Sequence, residues 1–124
     1  MKAAIVILSD PKAGTEETLG RVFNALASAY DFKQAGEEVS ILFQGAGTRW
    51  PGELDKSNHP ALALYEAVKD KVAGVSCGCA DVFGARETVE KSGYDLITEN
   101  SVPGTSGLPS LRRLMNEGYA VTTF

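Results

Sequence analysis

The fold is decided first by the stretch Ala3–Leu8, which reads Ala-Ala-Ile-Val-Ile-Leu. An uninterrupted apolar run, ended by Asp10 and Pro11, predicts a strand that is buried on both faces, as the strands of parallel sheets are. The run is shorter than the apolar core of a secretory signal, about 7–15 residues, and much shorter than the ~20 residues of a membrane span. We therefore expect a buried first strand in a cytoplasmic protein without a membrane segment.

Helical and strand-like patterns alternate along the rest of the chain. Apolar residues recur with helical spacing from Leu19 to Tyr30 and predict an amphipathic helix that Thr15 caps and Gly36 ends. Later strands are predicted over Glu38–Gln44, Gly74–Cys77, Tyr94–Thr98 and Tyr119–Phe124, and later helices over Ala61–Val72, Gly78–Lys91 and Leu108–Met115. Two stretches without periodicity, Gly45–Asn58 and Glu99–Gly107, are expected to be loops.

This alternation predicts an α/β fold in a single domain over residues 1–124. We expect a three-layer sandwich of flavodoxin or Rossmann type, with a five-stranded, mainly parallel sheet and right-handed crossovers. In such a sheet the loops that follow the strands lie at one edge, where ligands bind. The loops after the first four strands are therefore expected to converge.

Composition excludes some classes of partner. The chain has 124 residues, 12 Lys and Arg against 16 Asp and Glu, and a net charge of −4. A protein that binds nucleic acid or an anionic membrane surface needs a basic face. We therefore expect neither nucleic acid nor a membrane among its partners.

Both cysteines of the chain lie in the stretch Val75-Ser76-Cys77-Gly78-Cys79, where the third strand is expected to pass into a helix. The backbone N–H groups at a helix start stabilise a thiolate, which favours Cys77 as a nucleophile. Gly78 allows close approach of a substrate or of another chain's backbone. Alternatively, the two cysteines are small apolar residues packed at a strand end. The spacing alone leaves both interpretations open.

Three polar residues near the end of the second strand are candidate substrate ligands. Gln44 follows the strand directly, and Thr48 and Arg49 offer anion-binding groups near the thiols. Trp50, next in the chain, suits either a protein interface or the edge of the core. Thr105 and Ser106, after the fourth strand, are further possible hydrogen-bond donors or part of a plain connection.

The sequence predicts neither a metal site nor an organic cofactor. A zinc site takes four ligands, and besides the two cysteines the chain has a single histidine, His59. His59 precedes Pro60 at a helix start, where a capping role is expected. No glycine-rich phosphate-binding motif follows the first strand.

The stretches Ile41–Gly45 and Gly74–Cys79 make the chain resemble the DsrE/DsrF-like family of small α/β sulfur-relay proteins, over nearly its whole length. The resemblance implies that Cys77 carries a persulfide and that no cofactor is needed. It also implies a homo-oligomer, often trimeric or hexameric, or a hetero-oligomer with sibling subunits, which exchanges sulfur with donor and acceptor proteins. The chain has Cys-Gly-Cys where some members have Cys-Gly-x-Cys, and Phe83–Arg86 where members often have an Arg-Gly pair.

The leading hypothesis is therefore a persulfide carrier with sulfurtransferase-like activity, in which Cys77 is the sulfur site and Cys79 assists. The alternative is a non-catalytic oligomeric module of the same fold, in which the loops bind a small ligand and the cysteines are structural. A third possibility is a redox sensor that closes a Cys77–Cys79 disulfide.

Overall fold

Five parallel strands form the central sheet of the computed structural model, which describes residues 1–124. The strands are β1 (Lys2–Ile7), β2 (Glu38–Phe43), β3 (Val72–Ser76), β4 (Leu96–Ile97) and β5 (Tyr119–Thr123). Their order across the sheet is β4-β3-β2-β1-β5, and every neighbouring pair is parallel. The predicted α/β fold with a five-stranded sheet is confirmed, and the sheet is parallel throughout.

Six helices connect the strands. They are α1 (Glu16–Gln34), α2 (Trp50–Leu54), α3 (Leu62–Val68), α4 (Cys77–Val82), α5 (Arg86–Ser92) and α6 (Leu111–Asn116). The longest, α1, begins as predicted, because the Thr15 hydroxyl accepts a hydrogen bond from the Thr18 N–H at 3.2 Å. None of the helices is long and apolar enough to cross a membrane.

The two faces of the sheet are covered unequally. On one face, helices α1 to α5 contribute to a cluster of 19 buried residues that includes Phe43, Trp50 and Tyr65. On the other face, the buried cluster has only 4 residues, of which Leu114 comes from α6. Alternate side chains of a strand point to opposite faces, so β1 and β2 supply both clusters.

The stretch predicted as the loop Gly45–Asn58 is ordered, and that prediction is wrong. A 3₁₀ turn over Gly45–Arg49 leads directly into α2. Trp50 holds this segment in place, because its side chain is buried in the large cluster and its indole N–H donates to the Ser9 carbonyl oxygen at 2.8 Å. Trp50 is therefore part of the core, and its interpretation as an exposed interface residue is wrong.

The helix predicted over Gly78–Lys91 is two helices. α4 ends at Val82, Gly84 takes a left-handed conformation with a φ of 69°, and α5 begins at Arg86. The third strand also ends one residue earlier than predicted, so Cys77 is the first residue of α4. The chain therefore turns sharply within ten residues of Cys77.

Candidate functional site

Cys77 lies where β3 passes into α4, at the carboxyl edge of the sheet. Ser76 caps the helix, because its hydroxyl accepts a hydrogen bond from the Cys79 N–H at 3.3 Å. Both cysteines are free thiols; Cys77 is buried and Cys79 is half-buried. The sulfur of Cys77 is thus placed where ligands bind in open α/β sheets.

The groups around the sulfur of Cys77 are polar. The Ser106 hydroxyl lies 3.2 Å from the Sγ atom, and the Arg86 guanidinium lies 3.5 Å from it through Nη1. Both residues are solvent-exposed, although Cys77 itself is only 2% exposed. The sulfur is therefore covered by Arg86 and Ser106. Together with Asp81, which is hydrogen-bonded to both of them, they form a group that we call the polar cap.

Asp81 is hydrogen-bonded to both other members of the polar cap. Its carboxylate accepts hydrogen bonds from Arg86 Nη1 at 2.9 and 3.2 Å and from the Ser106 hydroxyl at 2.6 Å. These bonds, from Ser106 first and then Arg86, hold the pKa of Asp81 below its ordinary value. The hydrogen bonds to Asp81 and Glu90 raise the pKa of Arg86, and the nearby Cys77 adds to this. A fixed positive charge therefore lies beside the sulfur at all physiological pH values.

The Ser106 hydroxyl has one hydrogen and two possible acceptors, Asp81 and Cys77. The shorter, charge-assisted bond is the one to the carboxylate. While Ser106 donates to Asp81, its oxygen can accept the S–H of a neutral Cys77 thiol. When the sulfur is negatively charged, the same hydroxyl can rotate to donate to it, and Arg86 then neutralises Asp81 alone.

The segment that carries Ser106 packs closely against the start of α4. The Gly78 N–H donates to the Gly107 carbonyl oxygen at 2.7 Å. A Cβ atom on Gly78 would lie 2.8 Å from Leu108 Cδ1 and 3.0 Å from the Gly107 oxygen. The close approach expected at Gly78 is therefore made by this chain's own backbone, which positions the polar cap.

Cys79 points away from Cys77. Residues two positions apart on a helix are separated by about 200° around its axis and do not face each other. Cys79 lines a hollow of about 220 Å³ with the apolar side chains of Val82, Phe83, Val102 and Leu108. A Cys77–Cys79 disulfide would require the first turn of α4 to unwind.

Thr48 and Arg49 lie in the turn that packs against α4, but their hydrogen bonds go to other residues than Cys77. Thr48 is buried, and its hydroxyl donates to the Gly45 carbonyl oxygen at 2.9 Å. The Arg49 guanidinium pairs with Asp10 at 3.0 Å and donates to the Phe83 carbonyl oxygen at 3.1 Å. Thr48 therefore stabilises its own turn, and Arg49 joins that turn to the loop after β1 and to the end of α4.

Gln44 lines a separate hollow of about 430 Å³, between the end of β2 and the segment over residues 99–112. The Gln44 side chain is buried, and its Oε1 atom has no hydrogen-bond partner. Its neighbours there include Asn100, Ser101 and Arg112.

His59 lies in the turn before α3, where its Nδ1 accepts a hydrogen bond from the Ala61 N–H at 3.1 Å. The N-cap of α3 is Ala61, without a side-chain cap, so the capping role expected for His59 is reduced to this turn. No three His, Cys, Asp or Glu side chains come together in a way that could hold a metal ion.

Two members of the polar cap, Asp81 and Arg86, were not among the candidates drawn from the sequence. Ser106 was named as a possible donor, and the structure places it on the sulfur. Arg86 follows Cys77 by nine residues, a spacing that would point it elsewhere on a continuous helix. The signal that could have revealed it is Gly84, which breaks the helix and returns the chain toward the sulfur.

Comparisons with known proteins identify the family of this chain. The model of the DsrE/DsrF-like family matches residues 1–124. An uncharacterized protein of Methanocaldococcus jannaschii is 30% identical over 100 residues, which cover 81% of this chain and 77% of that protein. No solved structure matches the chain. The chain therefore belongs to the DsrE/DsrF-like family.

Proposed function

We propose that this protein is a sulfur carrier that holds sulfane sulfur as a persulfide on Cys77 and passes it to an acceptor thiol. The observation that carries the proposal is the Cys77 sulfur at the β3–α4 turn, with Arg86 at 3.5 Å and Ser106 at 3.2 Å. Membership of the DsrE/DsrF-like family supports it, because that family suggests a sulfur-relay function.

The chemistry is thiol exchange at a sulfane sulfur. The Cys77 thiolate attacks the outer sulfur of a donor persulfide; a new S–S bond forms on Cys77, and the donor's S–S bond breaks. The donor leaves as a thiolate that takes up the proton released by Cys77. An acceptor thiolate then attacks the outer sulfur on Cys77, which restores the Cys77 thiolate. Sulfur moves without net oxidation, so no redox cofactor takes part.

The polar cap can stabilise both the thiolate and the persulfide of Cys77. Arg86 supplies positive charge, and Ser106 supplies a rotatable donor, for the anionic sulfur of a thiolate or persulfide. Because the cap covers Cys77, the donor must displace Ser106 or Arg86 to reach the sulfur. Cys79, which faces the apolar hollow, contributes to docking rather than to transfer in this scheme.

The proposal places the protein in the cytoplasm, where thiols remain reduced. It also assigns the protein donor and acceptor proteins as partners and an assembly of identical subunits, a trimer or a hexamer, as the family resemblance implies. Sedimentation of the full chain under reducing conditions measures the mass of that assembly directly.

Intact mass spectrometry tests sulfur loading. After incubation with a low-molecular-weight persulfide, the wild-type protein should gain about 32 Da, one sulfur atom, and lose it on treatment with a thiol reductant. Cys79→Ser is the matched control and should load as the wild type does, whereas Cys77→Ser should not load. The proposal is refuted if Cys77→Ser gains the same reversible mass, or if the folded wild-type protein gains none.

A second candidate function rests on Gln44. The hollow that this buried, unpartnered side chain lines favours a small-ligand-binding module in which the cysteines are structural. In that case Cys77 would resist both persulfides and alkylating reagents in the folded protein. Loading of Cys77 and alkylation kinetics therefore discriminate between the two functions.

A further inference from the structure

The Asp81 carboxylate engages both hydrogen-bond donors that lie on the Cys77 sulfur. Ser106 Oγ lies 3.2 Å from the sulfur and 2.6 Å from Asp81 Oδ2. Arg86 Nη1 lies 3.5 Å from the sulfur and 2.9 Å from Asp81 Oδ1. In both cases the contact with the carboxylate is the shorter one. A negatively charged sulfur therefore has to compete with Asp81 for the same two donors.

The charged side chains around the sulfur leave little positive charge for an anion. Arg86 is shared by two carboxylates, because its Nε donates to Glu90 at 3.0 Å while its Nη1 donates to Asp81. Arg49, the charged residue of the turn that packs against α4, is itself paired with Asp10 at 3.0 Å. Two negative charges thus face the single positive charge of Arg86 beside Cys77.

We propose that Asp81 is a positioning residue that restrains the ionisation of Cys77. While its carboxylate holds the Ser106 hydroxyl and the Arg86 guanidinium, the neutral thiol is favoured over the thiolate. When docking of a sulfur donor separates these groups from Asp81, they can donate to the sulfur, and the thiol proton passes to water. The inference rests on the proposed function for its purpose, since sulfur transfer requires the thiolate.

The contacts set the size of the expected effect. An Asp81 carboxylate oxygen lies no more than about 6 Å from the Cys77 sulfur, because Ser106 Oγ contacts both atoms, and two like charges at that distance repel each other. Removal of the charge also frees the Ser106 hydroxyl to donate to the sulfur. We expect neutralisation of Asp81 to shift the equilibrium between thiol and thiolate about three- to tenfold toward the thiolate.

Alkylation kinetics measure this shift. The reagent is iodoacetamide, which is uncharged: the Cys77 thiolate forms a C–S bond and iodide leaves, so the rate follows the fraction of thiolate. The reference is the Cys79→Ser chain, in which Cys77 is the one remaining thiol. Asp81→Asn in that chain keeps the shape of the side chain and removes its charge. Its rate should reach half of its maximum about 0.5–1 pH unit lower than in the reference.

The pH profile separates ionisation from access to the sulfur. Cys77 is only 2% exposed, so a loosened polar cap also speeds alkylation, but it raises the rate at every pH and leaves the midpoint in place. A purely structural role of Asp81 therefore does not move the midpoint. Circular dichroism establishes that each variant is folded over the pH range, and Asp81→Ser provides a second neutral side chain if Asp81→Asn does not fold.

Glu90→Gln is the matched control. It removes one negative charge from the same guanidinium, but Glu90 makes no contact with Ser106, so its midpoint should shift less than that of Asp81→Asn. In a Ser106→Ala chain, Asp81→Asn should likewise cause a smaller shift, because the hydroxyl that it frees is absent.

The inference is overturned if Asp81→Asn leaves the midpoint in place or raises it, or if Glu90→Gln lowers it as much. Sulfur loading is measured separately in the same chains. A lowered midpoint without loading of Cys77 would refute the proposed function and not the restraint by Asp81, whereas loading with an unmoved midpoint would refute the restraint alone.

Discussion

Replacing Gly107 with alanine should destabilise the fold and uncover Cys77. Gly107 has a φ of +108°, and an alanine held there costs about 1–3 kcal/mol in backbone strain. Its Cβ would lie 2.5 Å from the Thr98 oxygen and 2.8 Å from Thr98 Cα. Backbone atoms cannot yield as a flexible side chain does, and such overpacking costs about 1–3 kcal/mol more. We therefore expect Gly107→Ala to lower the free energy of unfolding by about 2–6 kcal/mol.

Gly104→Ala is the matched control, because it lies in the same segment. Its φ is +79°, and a Cβ there would meet no atom within 4 Å, so the expected cost is about 1 kcal/mol of backbone strain alone. Urea denaturation gives both free energies of unfolding, and the rate of alkylation of Cys77 reports on the polar cap. Gly107→Ala should be alkylated faster, because a displaced loop carries Ser106 off the sulfur. Equal losses of stability in the two variants would refute the reasoning from close approach.

Two further predictions concern charged side chains. The hydrogen bonds from Ser106 and Arg86 hold the folded-state pKa of Asp81 below its ordinary value of 3.8. The stabilising effect of the Asp81 carboxylate is therefore complete above pH 3.8 and is lost as the pH falls through the folded-state pKa. Asp81→Asn should lower the urea midpoint at pH 7 and match the wild type at strongly acid pH. Arg49→Met should lower the free energy of unfolding by about 1.5–3 kcal/mol, because it leaves Asp10 without its charged donor, yet mass spectrometry should show unchanged sulfur loading on Cys77, and a loss of loading in a folded Arg49→Met protein would return Arg49 to the sulfur site.

The sequence predicts a helix or strand correctly where its hydrophobic pattern matches the side chains that the fold buries. The apolar run of β1 and the helical spacing of α1 are long enough for the hydrophobic pattern alone to specify them. The segment over residues 45–54 is different, since its short helices are held by the burial of Trp50 and by its bond to Ser9. A pattern of local residues does not reveal such a contact, and so the segment resembles a loop in the sequence.

For the candidate site, the sequence predicts the position of Cys77 and the edge of the sheet at which it lies. Cys77 was placed correctly at the strand-to-helix turn because glycine and β-branched residues mark that turn in the sequence. Asp81 lies one helical turn after Cys77 in α4, but Arg86 reaches the sulfur only because the chain breaks at Gly84, and Ser106 arrives from a different crossover. Contacts between separate segments depend on topology, which residue spacing alone does not specify.

The unequal covering of the sheet determines which part of the molecule opens first. The layer formed by α6 supplies one residue, Leu114, to a buried cluster of 4 residues, against a cluster of 19 on the opposite face. Such a layer is a low-stability cooperative unit, whose amide protons exchange through sub-global opening. Because the chain from Ser106 leads into α6, we expect that fluctuation to expose the sulfur while the larger cluster stays folded. The exposure of Cys77 then depends on the stability of the α6 layer, and the free energy of global unfolding depends on the larger cluster.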